Sequence, residues 1–235
     1  MKIAILSSNI SNEAGGYSES SFLLRNRLEK IKNNDVYLFG FWKSDFFKLN
    51  YKLTDRINIF TSGYIEIFPF SFQYFKKLFA IKPEIIDIQG IWSSTSILSL
   101  IYYYISKTPY IVTPRGMLEE WALKQSYFKK KFYFYFVEKL HLKNATYIRA
   151  TSDLERLTFE RLGFEKNKIL NIPNSIKIPN FKIKLKNKNK KKRLLFFSRL
   201  HPKKGIIELL IAWGKIQNRF PDWELLVCGF DENNY

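Results

Sequence analysis

The stretch KIAILSSNISNEAGGYSESSFLLRNRLEKIKNNDVYLFGF, residues 2–41, decides how the fold is read. It is apolar at 3–6 and passes through a loop with two adjacent glycines at 9–17. It then spaces Phe22, Leu23, Leu24, Leu28 and Ile31 as one side of a helix over 18–31. At 35–41 it turns apolar again. A strand, a glycine-bearing turn, a helix and a second strand make the repeating unit of a parallel sheet, because parallel strands need a long crossover.

The same alternation continues outward. Short strands are predicted at 57–60 and 65–68 around Gly63, then a helix at 72–80, a strand at 84–88 and a helix at 94–106. A strand at 110–113 ends at Pro114, and 118–142 is a long helical stretch with a break near Ser126. A strand at 146–150, a helix at 152–161 stopped by Gly163, and a strand at 168–172 stopped by Pro173 complete the series. Beyond a lysine-rich stretch the pattern restarts with a strand at 193–197, a helix at 205–220 and a strand at 223–228. The fold class is α/β, one sheet covered on both faces and the start of another.

Composition narrows the function classes. The chain has 235 residues, 46% hydrophobic and 17% aromatic, enough for a large core. That excludes disorder, collagen-like repeats and a small disulfide scaffold. A single cysteine, Cys228, allows no internal disulfide and fits a reducing compartment. Only four apolar residues (3–6) follow Lys2, short of a secretory signal core, and no apolar run approaches the ~20 residues of a membrane span. The expected location is cytoplasmic. Of the net charge of +18, nearly half falls in residues 176–192, which hold eight lysines and no acid. Such a segment reads as a solvated linker, with contact to nucleic acid or anionic lipid as the alternative.

Four places can carry chemistry. Gly15 and Gly16, between the first strand and helix, let a backbone approach a phosphate or sugar closely, though a Gly-Gly turn alone is equally a structural device. Asp87 and Gln89 share one face of a strand at its carboxyl end, where open α/β sheets bind ligands; solvated strand-end groups are the alternative. Arg115 and Gly116 lie in a loop just past another strand, where a guanidinium can grip a phosphate or carboxylate or simply face solvent. Arg199 and Lys204 flank a strand-to-helix turn, two cations beside a helix N-terminus that suit a diphosphate.

Taken in order, GGYSES, IIDIQGIWSS, TPRGMLEEWALKQ, ATSDLERLTFERLG, NIPNSI, FFSRLHPKKGIIELLIAW and LLVCGF resemble glycosyltransferase family 4. SRLHPKKGIIELLIAW and TPRGMLEEWALKQ are the most specific parts, the second typical of a bacterial surface-polysaccharide subgroup. The resemblance implies a retaining enzyme of GT-B fold, built from two Rossmann-like domains. Residues 1–175 would form the complete N-terminal, acceptor-side domain, 176–192 a basic linker, and 193–235 the first β-α-β of an incomplete nucleotide-sugar-binding domain.

The resemblance also assigns roles. Arg199 and Lys204 match the pair that binds the donor diphosphate, with no metal and no other cofactor expected. Gly15, Gly16, Arg115 and Gly116 match cleft and acceptor-side loops, and Asn174 matches the asparagine of an IPNG turn. The sequence departs from the family at Gln89, which stands where a histidine is usual and cannot titrate, and at Ser175 and Ser198, which stand for glycine. No catalytic residue is identified. No Glu-x7-Glu pair can be matched, and the second domain stops after its second strand, so the expectation is a C-terminally truncated transferase with impaired turnover.

The implied partners are a nucleotide sugar and a glycan or lipid-linked acceptor, in surface polysaccharide or lipopolysaccharide biosynthesis. A non-catalytic remnant, or an acceptor- or partner-binding module, is the alternative. Residues 126–140, SYFKKKFYFYFVEKL, mix lysines with aromatics and read either as a core helix with a basic face or as a peripheral contact with an anionic membrane. No nucleic-acid motif is present, so no specific nucleic acid is expected. His141, His201 and Cys228 offer no zinc-site spacing.

Overall fold

The computed structural model describes residues 1–11, 16–42, 54–61, 71–176, 178 and 191–231. The chain separates into two compact units, Met1–Ile178 and Pro179–Tyr235.

The first unit is a seven-stranded, wholly parallel sheet. Its strands are β1 (Lys2–Ser7), β2 (Asp35–Trp42), β3 (Ile57–Thr61), β4 (Ile85–Gln89), β5 (Tyr110–Thr113), β6 (Tyr147–Ala150) and β7 (Ile169–Asn171). They run in the order β3-β2-β1-β4-β5-β6-β7. Helices α1 (Gly16–Glu29), α2 (Phe72–Ile81), α3 (Ser94–Ser106), α4 (Glu120–Lys124), α5 (Tyr127–Tyr133), α6 (Lys139–Asn144) and α7 (Asp153–Arg161) supply the crossovers. Strand order reverses beside β1, between β1 and β4, the switch point where such sheets hold ligands.

Two hydrophobic clusters sandwich the sheet. Ile3 and Ile5 of β1 point with Val36 and Leu38 to Phe22 of α1. Ala4 and Leu6 point the other way, with Phe39, Phe41, Ile86 and Ile88. This strict alternation fixes which strand-end side chains share a face.

The predicted strand at 65–68 lies outside the described residues. Two predicted helices differ in form. The helix expected over 18–31 ends at Glu29: Phe22 is buried and Leu24 and Leu28 pack partly against the core, Ile31 lies beyond it and is exposed, and Ser18, Ser21 and Arg25 are buried as well. The serines bond back to backbone oxygens, Ser18 Oγ donating to Ile10 O at 2.9 Å and Ser21 Oγ to Tyr17 O at 3.0 Å. Arg25 is neutralised by Glu29 at 2.6 Å. The long helix at 118–142 is four pieces. Gln125 is extended and Ser126 left-handed (φ 54), so α4 stops there; α5 then widens into a π-helical turn, Phe134–Glu138, before α6. Its inner side carries Glu138, His141 and Leu142, and its outer side exposes Phe128, Phe132, Tyr135 and Phe136. It is therefore not a core helix with one basic face.

The second unit pairs β8 (Lys192–Phe197) with β9 (Trp223–Cys228) in parallel through α8 (Ile206–Ile216). The helix predicted to 220 gives way to a 3₁₀ turn, Gln217–Arg219, ahead of Pro221.

Candidate functional site

Alternation along β4 determines what stands at the sheet's carboxyl edge. Ile86 and Ile88 enter one core, so Asp87 and Gln89 take the opposite face, the one α1 covers. Gln89 is fully buried. Its amide nitrogen donates to Asp87 Oδ1. Its side-chain oxygen accepts from Arg115 Nε at 2.8 Å and from Arg115 Nη2. Arg115 Nη1 reaches the Ser20 hydroxyl, and the guanidinium carbon lies 5.3 Å from the Tyr17 ring centroid. The Tyr17 hydroxyl donates to the Gln89 backbone oxygen and accepts from Ser8 N at 3.3 Å. One guanidinium therefore ties together the first turns of α1, the end of β4 and the loop after β5. Its three side-chain bonds end on neutral oxygens, while the Asp87 and Glu155 carboxyls act on its charge without bonding to it.

Electrostatics at this edge are unbalanced. Burial pushes the Asp87 carboxyl up to about 6, against the opposing pull of Arg149, Arg115 and the Gln89 hydrogen bond. Burial is also the largest influence on Arg115 and draws its pKa down.

The loops are held from behind by residues that sequence reasoning did not single out. Glu155, almost fully buried, accepts from Gly116 N at 2.6 Å with one oxygen. The other oxygen accepts from Thr151 N at 2.7 Å and Thr151 Oγ1 at 2.8 Å. It thus joins the loops after β5 and β6. The available signal was Ser152-Asp-Leu-Glu155, the S/T-x-x-E of a capping box: Ser152 Oγ accepts from Glu155 N at 3.2 Å. Arg149 donates to Ile172 O and Pro173 O, each at 2.9 Å, and to Asn174 Oδ1 at 3.3 Å, fixing the NIPN segment. Glu138 accepts from Trp92 N at 2.7 Å, and Tyr133 Oη donates to Ser93 O at 2.8 Å.

Gln89, Arg115 and Gly116 therefore meet at one edge with Tyr17 and Ser20. Gly16 opens α1 there; a methyl group added at it would meet no atom within 4 Å, so internal packing does not demand the glycine. Gly15 lies outside the described residues. Arg199 and Lys204 belong to the second unit, in the turn between β8 and α8, and both are exposed. Gly205 (φ 68) precedes α8, whose first turn receives no side-chain cap. Among the described residues no cluster of His, Cys, Asp and Glu could hold a metal ion.

No known family profile matches the chain, and no curated protein matches it. Solved structures do. Anabaena HepE in complex with UDP and glucose aligns with all of this chain and 62% of its own, at a TM-score of 0.63 and 16% identity. The apo form of the lipopolysaccharide outer core galactosyltransferase WaaB aligns over 99% of this chain and 69% of its own, at 0.58 and 14%. UDP-GlcNAc 2-epimerase from Neisseria meningitidis, bound to UDP-GlcNAc, aligns over 97% and 65%, at 0.50 and 11%. The chain spans 62–69% of the length of these proteins. At such identities the likeness is one of fold. This is the GT-B-like α/β fold: a Rossmann-like sheet domain and a β-α-β of a second Rossmann-like unit.

Proposed function

We propose that the chain is part of a nucleotide-sugar-dependent glycosyltransferase of the family 4 type, moving a hexosyl unit to a glycan acceptor in surface-polysaccharide or lipopolysaccharide assembly. In this reading residues 1–175 are the acceptor-side domain, 176–192 the basic linker, and 193–235 belong to the nucleotide-sugar domain. Arg199 and Lys204 hold the donor diphosphate at the α8 N-terminus, offsetting charge on the leaving nucleotide without a metal. Gly15, Gly16, Gln89, Arg115 and Gly116 line the acceptor side, with Gln89 holding the Arg115 fork in place.

The observation that carries the reading is the alignment of the entire chain with a protein whose structure holds UDP and glucose. Fold alone does not fix chemistry, and a UDP-GlcNAc 2-epimerase shares it. The strand-turn-helix sequence SRLHPKKGIIELLIAW and the order of the other motifs favour transfer.

Calorimetric titration of the full chain with UDP and UDP-sugars is the direct test. Arg199→Ala and Lys204→Ala are each expected to weaken UDP binding by about 10-fold, the value of one charge-assisted contact. UDP affinity untouched by both substitutions, or no UDP binding at millimolar concentration, refutes the assignment. Binding of a glycan without UDP would favour the acceptor-binding module.

A further inference from the structure

The outer face of the segment running from α5 through the π-helical turn into α6 is apolar and basic at once. Phe128, Phe132 and Phe136 recur every four residues and are 84%, 67% and 67% exposed, with the rings of Phe132 and Phe136 in contact at 4.5 Å. Tyr135 and Leu140 extend the patch and are also exposed. An apolar cavity of about 300 Å³, lined by Trp92, Leu118, Leu123, Tyr127, Phe134 and Leu162, adjoins it and shares Lys131 and Tyr135 with it. Contiguous apolar surface of this kind marks an interaction site.

Charge selects the occupant. Residues 127–144 hold five lysines and one acid, Glu138. That acid is buried and turned inward, to Trp92 N and to His141 Nδ1 at 3.1 Å. The outer face therefore presents cations with no carboxylate from its own segment. A second copy of the chain docked on the same face would set these lysines against their own kind, which disfavours self-pairing. A surface bearing many negative charges over a hydrocarbon layer satisfies both halves of the patch. Among the described residues no helix is long and apolar enough to cross a membrane, so such a helix would lie in the interface.

We propose that this face docks on an anionic phospholipid membrane, with the phenylalanine stripe at acyl depth and Lys129, Lys131 and Lys139 among the headgroups. The consequence for acceptor choice rests on the transferase reading; the docking does not. Tyr133 and Glu138, on the inner side of the same segment, grip the loop that follows Gln89. Docking therefore couples the loop beside the Gln89–Arg115 edge to the lipid-facing segment, the side from which an acceptor anchored in lipid would come.

The test is co-sedimentation of the full chain with vesicles of phosphatidylcholine, alone or with roughly one-third phosphatidylglycerol, at low and high salt. The lysine-rich segment can bind such vesicles through charge alone, so the control is Lys186→Ser/Lys188→Ser/Lys190→Ser/Lys191→Ser. The expected result is selective binding to anionic vesicles with a salt-resistant part that survives the control. Phe128→Ser/Phe132→Ser/Phe136→Ser, which changes no charge, should lower the partition by at least about 100-fold. In the unsubstituted chain, hydrogen exchange should slow within 127–144 when anionic vesicles are added. Protection confined to 176–192, binding unchanged in the triple variant, no binding at all, or a dimer that the triple variant dissolves would each overturn the proposal. No nucleotide sugar enters this assay, so its failure and that of the UDP titration are separate results.

Discussion

Replacing Asp87 by asparagine isolates the electrostatics of the candidate site. The side chain keeps its shape and an oxygen that can accept from Gln89, but loses its charge. Burial raises the Asp87 pKa from 3.8 to about 6, a shift already net of the attraction to Arg149 and Arg115. The folded state thus holds the proton more tightly than the unfolded chain does. Between those two values rising pH draws a proton from the unfolded state first, so folding stability falls as pH rises and levels off above the folded pKa. Two units correspond to about 3 kcal/mol at pH 8, since each is worth ~1.4 kcal/mol. Asp87→Asn is therefore expected to be more stable than the unsubstituted chain by up to about 3 kcal/mol at pH 8, shrinking to under ~1 kcal/mol at pH 4. Urea titrations from pH 4 to pH 8 measure the difference. A gain that is flat with pH, or a variant less stable at pH 8, would show that the carboxylate is stabilised by its arginines and not burdened by burial.

The other substitutions probe the scaffold and the two proposed contacts. Gly90 has φ +80, and a Cβ there would lie 2.7 Å from the Tyr17 hydroxyl; Gly90→Ala should lower the melting temperature by roughly 5 °C, read by circular dichroism. Glu138→Leu strands the Trp92 N–H and His141 Nδ1 in the interior and should cost about 2–4 kcal/mol in denaturant, with a changed near-ultraviolet signal from Trp92; Glu138→Gln, which can still accept from Trp92, should cost less. Arg199→Ala and Lys204→Ala each weaken UDP binding, and the triple phenylalanine variant loses salt-resistant vesicle binding, as set out above.

The alternation of strands and crossover helices, and with it a parallel sheet, was legible because each strand is a short apolar run punctuated by glycine or proline; the order of the strands was not. Gln89, Arg115 and Gly116 were legible as positions, Gln89 closing a strand and Arg115 and Gly116 lying just past one. What each does was not. Gln89 reads as a group free to bond a sugar hydroxyl, yet both ends of its amide are taken by Asp87 and Arg115, partners two and 26 residues away. Glu155 showed only its capping-box spacing and Arg149 nothing, because the bonds that matter reach backbone of other loops, Gly116 for one, Ile172 and Pro173 for the other. On α1 the predicted apolar side does face the core through Phe22, Leu24 and Leu28; what the spacing did not show is that Ser18 and Arg25 are buried beside them through bonds to Ile10 and Glu29. The outward face of α5 was left open by the sequence, because lysines mixed with aromatics through 126–140 fit a core helix with a basic face as well as an interfacial one.

Left-handed backbone separates the two ends of the sheet in a way that bears on function. At the helix-to-strand end, Lys82 (φ 50) and Lys107 (φ 57) are ordinary helix caps, their N–H groups bonding back to Leu78 and Tyr103. At the strand-to-helix end, Trp92 (φ 65) and Arg115 (φ 56) cap nothing. Each such residue costs about 1–2 kcal/mol, and long-range bonds offset it: Glu138 and the Met117 carbonyl for Trp92, Gln89 and Ser20 for Arg115. A loop needed only to connect β5 to α4 could relax this strain with a glycine or a longer turn. Instead the chain spends a buried carboxylate, Glu138, and a buried amide, Gln89, to keep an aromatic ring and a guanidinium in fixed positions at the switch point of the sheet. Strain of that kind persists where a side chain must be presented and not merely accommodated. The Trp92 and Arg115 loops, more than the glycines beside them, define this edge of the sheet.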